Sequence, residues 1–394
     1  MARDRWRIAI FTGTIDLVKQ DARGIYIIEI LKYLVKFKDL EIVLITPDNI
    51  KNKLVENDNI THIEYRLFDR AHFRYFSTMV FSIPKLVLND FDLLHSFGHE
   101  ATSIARIAKK IKRDILIIPH FYGLSTSETE IYSKYSIKKK VIRPFMTRRE
   151  KLIIKQPYGK TVLSEAMKDF LVEVYKIPEE NIFVTPIGIE PKPYKDTYNK
   201  DTTLLKKLGI DGKKIILYAG WISALHGVID LVKAIEIINI KNKDLILLIV
   251  GFGPLEPLIK DYVKRKQIKN VFFVGKVPHE EINRYLSIAD VLVIPHVRCM
   301  QTELNPTTKL FEYLASGKPI VSSKLKPIVD IVGDNAVLVE PEDPQSIADG
   351  ISRLLNDEAL SKELGENGKE IVDNYSWEET AKKLHEAYLS ILKN

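Results

Sequence analysis

The chain has 394 residues, more than one compact core accommodates, so two domains of roughly 150–200 residues each are expected. Its 45% apolar and 28% charged residues exclude a disordered or collagen-like chain. Lysine and arginine number 59 against 52 acidic residues, and the net charge of +7 suits anionic small molecules, an acidic membrane surface or nucleic acid without choosing among them.

From the N-terminus, the apolar run Ile8–Phe11 is too short for a signal peptide and reads as the end of a first strand, Arg7–Phe11. Strand candidates follow at Glu41–Thr46, Ile60–Tyr65, Asp92–His95, Ile115–Ile118, Thr161–Leu163 and Ile182–Thr185. The second half offers Lys214–Ala219, Asp244–Val250, Val271–Val274, Val291–Ile294, Ile320–Ser322 and Ala336–Val339. Several are unbroken Ile/Val/Leu runs, as parallel strands covered on both faces require, and helix-period segments separate them. Alternating βα units mean an α/β fold with two Rossmann-like, doubly wound domains facing across a cleft. The linker signal is Ile189–Thr203, with Pro191, Pro193 and the polar run Lys195–Thr203. It sets the first domain at 1–190, the linker at 191–203 and the second domain at 204–375. Residues 376–394 form a closing helix whose start, Ser376 with Glu379 three positions on, is a capping box. The longest apolar runs, such as Leu245–Val250, fall far short of the ~20 residues a membrane-spanning helix needs, so a cytoplasmic protein is expected. A lone cysteine, Cys299, forms neither an internal disulfide nor a cysteine-based zinc site, and reads as a loop thiol.

The most informative segment is Asn305–Ser323, NPTTKLFEYLASGKPIVSS. Thr307 or Thr308 starts a helix, Gly317 ends it, Pro319 prevents its continuation, and Ile320–Ser322 is a buried strand. A helix N-terminus at the carboxyl edge of a parallel sheet is a phosphate site, and Lys309 adds a full charge there. Glu312, one turn further in, is placed to accept hydrogen bonds from ribose hydroxyls; the plain alternative is a solvated helix residue.

This segment resembles the donor-binding signature of the retaining GT-B glycosyltransferases of family four (glycosyl transferases group 1). Leu217–Leu231 (LYAGWISALHGVIDL) resembles the family's strand, glycine loop and helix, and Ile249–Leu258 (IVGFGPLEPL) its Val-Gly-x-Gly-Pro turn. Val271–Pro295 and Tyr375–Trp377 continue the match; in that fold the last helix crosses back onto the first domain. The first half matches more loosely, through Ala22–Leu34, Asp92–His99 and Pro186–Glu190. The resemblance implies a metal-independent hexosyltransferase that moves sugar from a UDP or GDP donor to a hydroxyl acceptor, such as a lipid-linked glycan or cell-surface polysaccharide precursor. It implies no cofactor; the nucleotide sugar is a substrate. Glu312 would hold ribose, while Lys309, His226 and the Gly220 loop would hold the diphosphate, with Leu310 beside them. Arg23 and Gly24 resemble the loop that approaches the donor phosphates. Glu303 would lie near the sugar and His99 near the anomeric carbon, with His120 a second acceptor-side candidate; each histidine follows a buried strand, and the plain alternative for each is a hydrogen-bonded loop residue.

The sequence departs from the family in three places. Trp221 stands where arginine is usual, and His226 where lysine is usual. The imidazole, unperturbed near pH 6.5, would gain a proton beside a phosphate. Glu303 lies one position too far from Glu312, so either one residue is inserted in the loop or the family's first glutamate is absent. These departures leave an alternative, a catalytically silent GT-B partner subunit that binds nucleotide sugar, and a third, sugar-nucleotide epimerisation.

Two motifs are discounted. Gly251-Phe-Gly253 lacks a third glycine and is interrupted by Pro254, so it is no dinucleotide fingerprint. Asp90-Phe-Asp92 spells a metal-binding Asp-x-Asp, but precedes a buried strand and reads as its cap. The basic stretch Lys138–Lys160 places Arg148, Lys151 and Lys155 at helical spacing, with Phe145 and Leu152, and Met146 and Ile153, each one heptad apart. It reads as a solvated surface or as a peripheral contact with anionic lipid. The aromatic–basic interleaving that stacks nucleic-acid bases is missing.

Overall fold

The computed structural model describes residues 5–15, 17, 22–47, 60–68, 71–124, 147–156, 159–195, 200–239 and 244–393. Two compact units make up the chain: Met1–Gly188 with Trp377–Asn394, and Ile189–Ser376.

The first unit holds strands β1 (Trp6–Phe11), β2 (Leu40–Pro47), β3 (Ile60–Tyr65), β4 (Leu93–Phe97), β5 (Ile117–Phe121), β6 (Lys160–Val162) and β7 (Ile182–Val184). They form one sheet in the order β3-β2-β1-β4-β5-β6-β7, with neighbouring strands parallel. β1 shows why these strands read as unbroken apolar runs. Side chains alternate across a strand, so Ile8 and Ile10 enter one core with Tyr26, Leu31 and Tyr388, while Ala9 and Phe11 enter another with Val43, Leu94 and Ala105. A strand covered on both sides has no polar face to present. Helix Trp377–Lys393 supplies Trp377, Ala381, Leu384 and Tyr388 to the first of these cores. Thr380 Oγ1 donates to Pro186 O at 3.2 Å, and His385 Nε2 lies 2.8 Å from Asp39. Asp92 accepts the Arg7 N–H at 2.7 Å, and Asp90 pairs with Lys112, so the Asp-x-Asp ties strand ends together.

The second unit holds β8 (Lys214–Ala219), β9 (Leu245–Val250), β10 (Val271–Gly275), β11 (Val291–Ile294), β12 (Ile320–Ser323) and β13 (Val337–Val339). Their order is β10-β9-β8-β11-β12-β13, again parallel. Helices Val228–Asn239 and Pro344–Asn356 cover one face, where Leu231, Ile235, Ile347 and Ile351 pack on Ile216, Leu247 and Val293. Each such buried aliphatic side chain contributes about 1.5–3 kcal/mol. Residues 191–203, read from sequence as a linker, belong to this unit. Tyr194 is buried, and Asp201 caps helix Thr202–Leu208 through the Leu204 N–H at 2.8 Å; residues 196–199 lie outside the described segments.

Strand order fixes where a ligand can sit. The chain leaves β8 toward β9 on one side and returns to β11 on the other, and in sheets of this kind ligands bind at the carboxyl ends of the strands where the order reverses. At Gly227 (φ +58) a Cβ would overlap the carbonyl oxygen of Pro295, which follows β11. Only glycine lets the two loops approach this closely.

Candidate functional site

The loop after β8 begins at Gly220 and ends where helix Val228–Asn239 starts. Beneath it lies Lys309, in helix Thr308–Ser316. The helix is tied to the strand end by Tyr313, whose hydroxyl accepts the Ala219 N–H at 2.8 Å. A Cβ at Gly220 (φ +141) would sit 2.7 Å from Lys309 Nζ, so the glycine clears space for the ammonium. Lys309 is 7% exposed; its Nζ donates to Tyr218 Oη at 2.9 Å, and Tyr218 in turn donates to Trp221 O at 2.7 Å. Burial pushes the Lys309 amine down to about 7, opposed by the nearby Glu312 carboxylate. Burial thus weakens the amine's hold on its proton, and a phosphate beside it would favour the charged form.

His226 lies in the same loop. Its Nδ1 is 2.8 Å from Ser223 Oγ, and its ring stands edge-on to His296, centroids 4.9 Å apart. Burial, then the Lys309 charge, lowers His226 to about 3. The imidazole expected to carry charge is therefore neutral in the unliganded protein. His296 sits just past β11, 6% exposed, and is likewise held neutral by burial, Lys309 and His226. Sequence reading passed over His296; its one available signal was its position after the strand at which the sheet order reverses.

Glu312 lies one turn along from Lys309, its side chain 13% exposed. His279 Nε2 donates to its Oε1 at 2.9 Å, and Tyr194 Oη reaches the same oxygen at 3.5 Å. The carboxylate raises His279 through that hydrogen bond, and burial followed by Glu312 raises Tyr194. Neither partner had a local sequence signal, since they come from segments 33 and 118 residues away. Thr307 takes the N-cap position, yet its side chain makes no capping bond. Leu310, expected at the donor, is wholly buried and its N–H donates to Thr307 O at 3.0 Å; its part is packing.

Other residues singled out in the sequence make contacts of their own. Glu303, in helix Met300–Leu304, accepts the Lys326 N–H at 3.1 Å and pairs with Arg298 Nε at 3.3 Å. It thus serves the start of helix Lys326–Val332. Cys299 Sγ contacts Thr302 Oγ1 at 3.3 Å. Trp221, in place of the family's arginine, is 46% exposed and meets Phe252 edge-on at 4.7 Å.

In the first unit, Arg23 and Gly24 occupy the first turn of helix Ala22–Leu34 rather than a loop; Arg23 is exposed, and its carbonyl accepts from Tyr122 Oη at 3.1 Å. His99 is the second residue of helix Gly98–Ile111, where Nε2 donates to Gly123 O at 2.9 Å and lies 4.0 Å from Glu150. His120 corrects the expectation that it follows a strand. β5 runs through Pro119 to Phe121, so His120 lies inside it with no exposure, 2.9 Å from Thr161 Oγ1, and burial lowers it to about 3. Helical residues 147–154 expose Arg148, Lys151 and Leu152 and bury Ile153; Lys155 follows, exposed, and Phe145 and Met146 lie outside the described segments. Among the described residues no cluster of three His, Cys, Asp or Glu is placed to hold a metal ion, and no helix is long and apolar enough to cross a membrane.

Comparison with known proteins covers most of the chain. Residues 24–192 match the family model Glycosyltransferase Family 4, and residues 200–371 match Glycosyl transferases group 1. An uncharacterised glycosyltransferase of Methanocaldococcus jannaschii is 25% identical over 363 residues, which are 90% of this chain and 91% of that protein. Among solved structures, sucrose-phosphate synthase of Thermosynechococcus elongatus superposes with a TM-score of 0.77 at 19% identity, covering 99% of this chain and all of that one. HepE of Anabaena, solved in complex with UDP, gives a TM-score of 0.74 at 15% identity over 98% of this chain and all of that one.

Proposed function

We infer the reaction from the premise that this chain belongs to the group 1, family 4-like glycosyltransferases of the GT-B fold. Within that family we propose a retaining, metal-independent hexosyltransferase that takes a UDP- or GDP-sugar and glycosylates a hydroxyl of a lipid-linked glycan or cell-surface polysaccharide precursor. One observation carries the reading: Lys309 lies buried under Gly220 at the first turn of a helix, with Glu312 one turn deeper. Breaking a glycosidic bond to a diphosphate loads negative charge onto the leaving group, and stabilising that charge is the main task. A desolvated amine at a helix N-terminus acts there with little screening. Glu312 exchanges His279 and Tyr194 for the ribose hydroxyls. The UDP complex of HepE supports a nucleotide as ligand. His99 is assigned to the reacting carbon, where the transition state resembles an oxocarbenium ion. Glu303, held by Arg298 and the Lys326 N–H, is given a structural part.

The test is a thermal-shift screen with UDP-, GDP- and ADP-sugars, followed by calorimetry on Glu312→Ala. One nucleotide sugar should raise Tm, and the substitution should weaken its binding about 10–100-fold, as expected for a charged hydrogen-bond acceptor. Unchanged affinity would remove Glu312 from the ribose. The silent-partner reading has its own support in Trp221 and in the neutral His226. It predicts binding without release of nucleotide from any donor, whereas an enzyme hydrolyses its donor slowly. The exposed Arg148, Lys151 and Lys155 are proposed to rest on anionic lipid at the inner membrane face, at ~1 kcal/mol each. Sedimentation with phosphatidylserine vesicles should fall when all three become glutamate.

A further inference from the structure

Two imidazoles, not one, stand beside the buried lysine. His296 follows β11 directly after Pro295, and the Pro295 carbonyl presses against Gly227 at the end of the β8 loop. The Val297 N–H donates to Leu225 O at 3.1 Å, so the two loops are joined on both sides of His296. Its ring meets His226 edge-on at 4.9 Å. His226 is anchored through Nδ1 by Ser223, whereas the buried Nε2 of His296 has no hydrogen-bond partner among the described residues. A buried imidazole nitrogen without a partner is costly; His120 Nε2 is orphaned too, but among aromatic rings, whereas His296 lies beside the Lys309 charge, where an anionic ligand would complete it. The setting selects the ligand. Two neutral rings and an amine whose hold on its proton is weakened form a site whose positive charge is latent, and an anion that excludes water would draw protons onto it.

We propose that His296 is a second imidazole ligand of the donor diphosphate, acting with His226 and Lys309, and that donor binding carries protons into the site. The inference rests on the donor-site reading above. The titratable group that bears on both histidines is Lys309, and Lys309 in turn has Glu312 on its own helix and Tyr218 from β8 as neighbours, with Tyr313 beside Glu312. Burial holds both tyrosines in the phenol form, so they add no competing charge. The sign follows from linkage. Free His226 titrates near 3 and free Lys309 near 7; each is raised when the diphosphate binds, so the complex holds more protons and affinity rises as pH falls through neutrality.

The experiment uses UDP-glucose, GDP-mannose and ADP-glucose, whose diphosphates are doubly esterified and have no proton of their own to lose near neutrality. Calorimetry of the full chain at pH 6.5, in two buffers of different ionisation enthalpy, counts the protons taken up. His296→Gln keeps an N–H donor but no titratable group. The expected result is net uptake by the wild-type protein, reduced by roughly half a proton or more in H296Q, with affinity lowered about tenfold. In NMR titrations of the wild-type protein, the His296 ring should titrate at higher pH with the nucleotide sugar present; this readout does not depend on any variant folding. Binding within twofold of wild type in a folded H296Q, with proton uptake unchanged, overturns the role of His296 and leaves the donor site standing. Failure of all three nucleotide sugars to bind the wild-type protein overturns the donor site and this inference together.

Discussion

Each unit brings together a pair of histidines, and the two pairs end in different chemistry. In the first unit, Thr161 Oγ1 bridges His95 Nε2 at 3.0 Å and His120 Nδ1 at 2.9 Å, while His95 Nδ1 meets the Tyr388 hydroxyl at 2.7 Å. Around them stand the rings of Tyr26, Phe97 and Tyr122. In the second unit, His226 and His296 have a buried ammonium as neighbour. Burial keeps all four neutral, so neutrality alone does not mark a binding site. An orphaned nitrogen does not separate the pairs either, since His120 Nε2, like His296 Nε2, has no hydrogen-bond partner among the described residues; what separates them is the company, aromatic rings around the first and Lys309 beside the second. A helix from the chain's end, Trp377–Lys393, closes the first pair, whereas the second lies at the carboxyl end of the strands where the sheet order reverses.

Lys309→Met attacks that contrast most directly. Methionine fills the volume without the amine, so donor-dependent turnover should fall about 10²–10³-fold while Tm stays level or rises, because a desolvated amine no longer opposes folding. A large loss of Tm with intact donor affinity would make Lys309 a structural residue. The next largest effect is on acid stability. His120 and His226 titrate near 3 when folded and near 6.5 when unfolded. Between these values the unfolded chain holds more protons, so stability falls as pH drops, by up to about 1.4 kcal/mol per pH unit for each histidine. Urea melts from pH 7 to 4 should show this slope. Saturating nucleotide sugar, by raising His226, should flatten the part of this slope that His226 contributes, whereas His120→Gln should reduce the slope and leave donor affinity unchanged.

Thr161→Val should remove the bridge shared by His95 and His120 and cost about 1–3 kcal/mol in urea unfolding, with donor affinity unchanged. A loss of donor affinity would show that the first pair is not merely core. The smallest effect is expected of Glu303→Gln. Its partly exposed pair with Arg298 and its bond to the Lys326 N–H should be worth under about 1 kcal/mol. Altered selectivity between donor sugars, measured by competition binding, would instead return Glu303 to the sugar subsite.

The strand pattern was legible residue by residue where a strand is covered on both faces. Lys214–Ala219 and Val291–Ile294 fall where the apolar runs place them. β5 was expected to end at Ile118, but the strand carries on through Pro119 to Phe121, and those three residues move His120 from a loop into the core. Arg23–Gly24 was read as a loop by resemblance to the family's phosphate-approaching glycine loop, although its backbone is helical.

Local chemistry written in one stretch of chain was enough to name the parallel sheets, the family and the pairing of Lys309 with Glu312, since these depend on spacing along a strand or helix. Protonation and partnership depend on what distant segments bring to a point. Tyr194 and His279 meet at Glu312, and Pro295 presses on Gly227 with His296 beside it, through crossovers dozens of residues long. Only the folded sheet decides those neighbours, because desolvation and charge act through space and take no account of order along the chain.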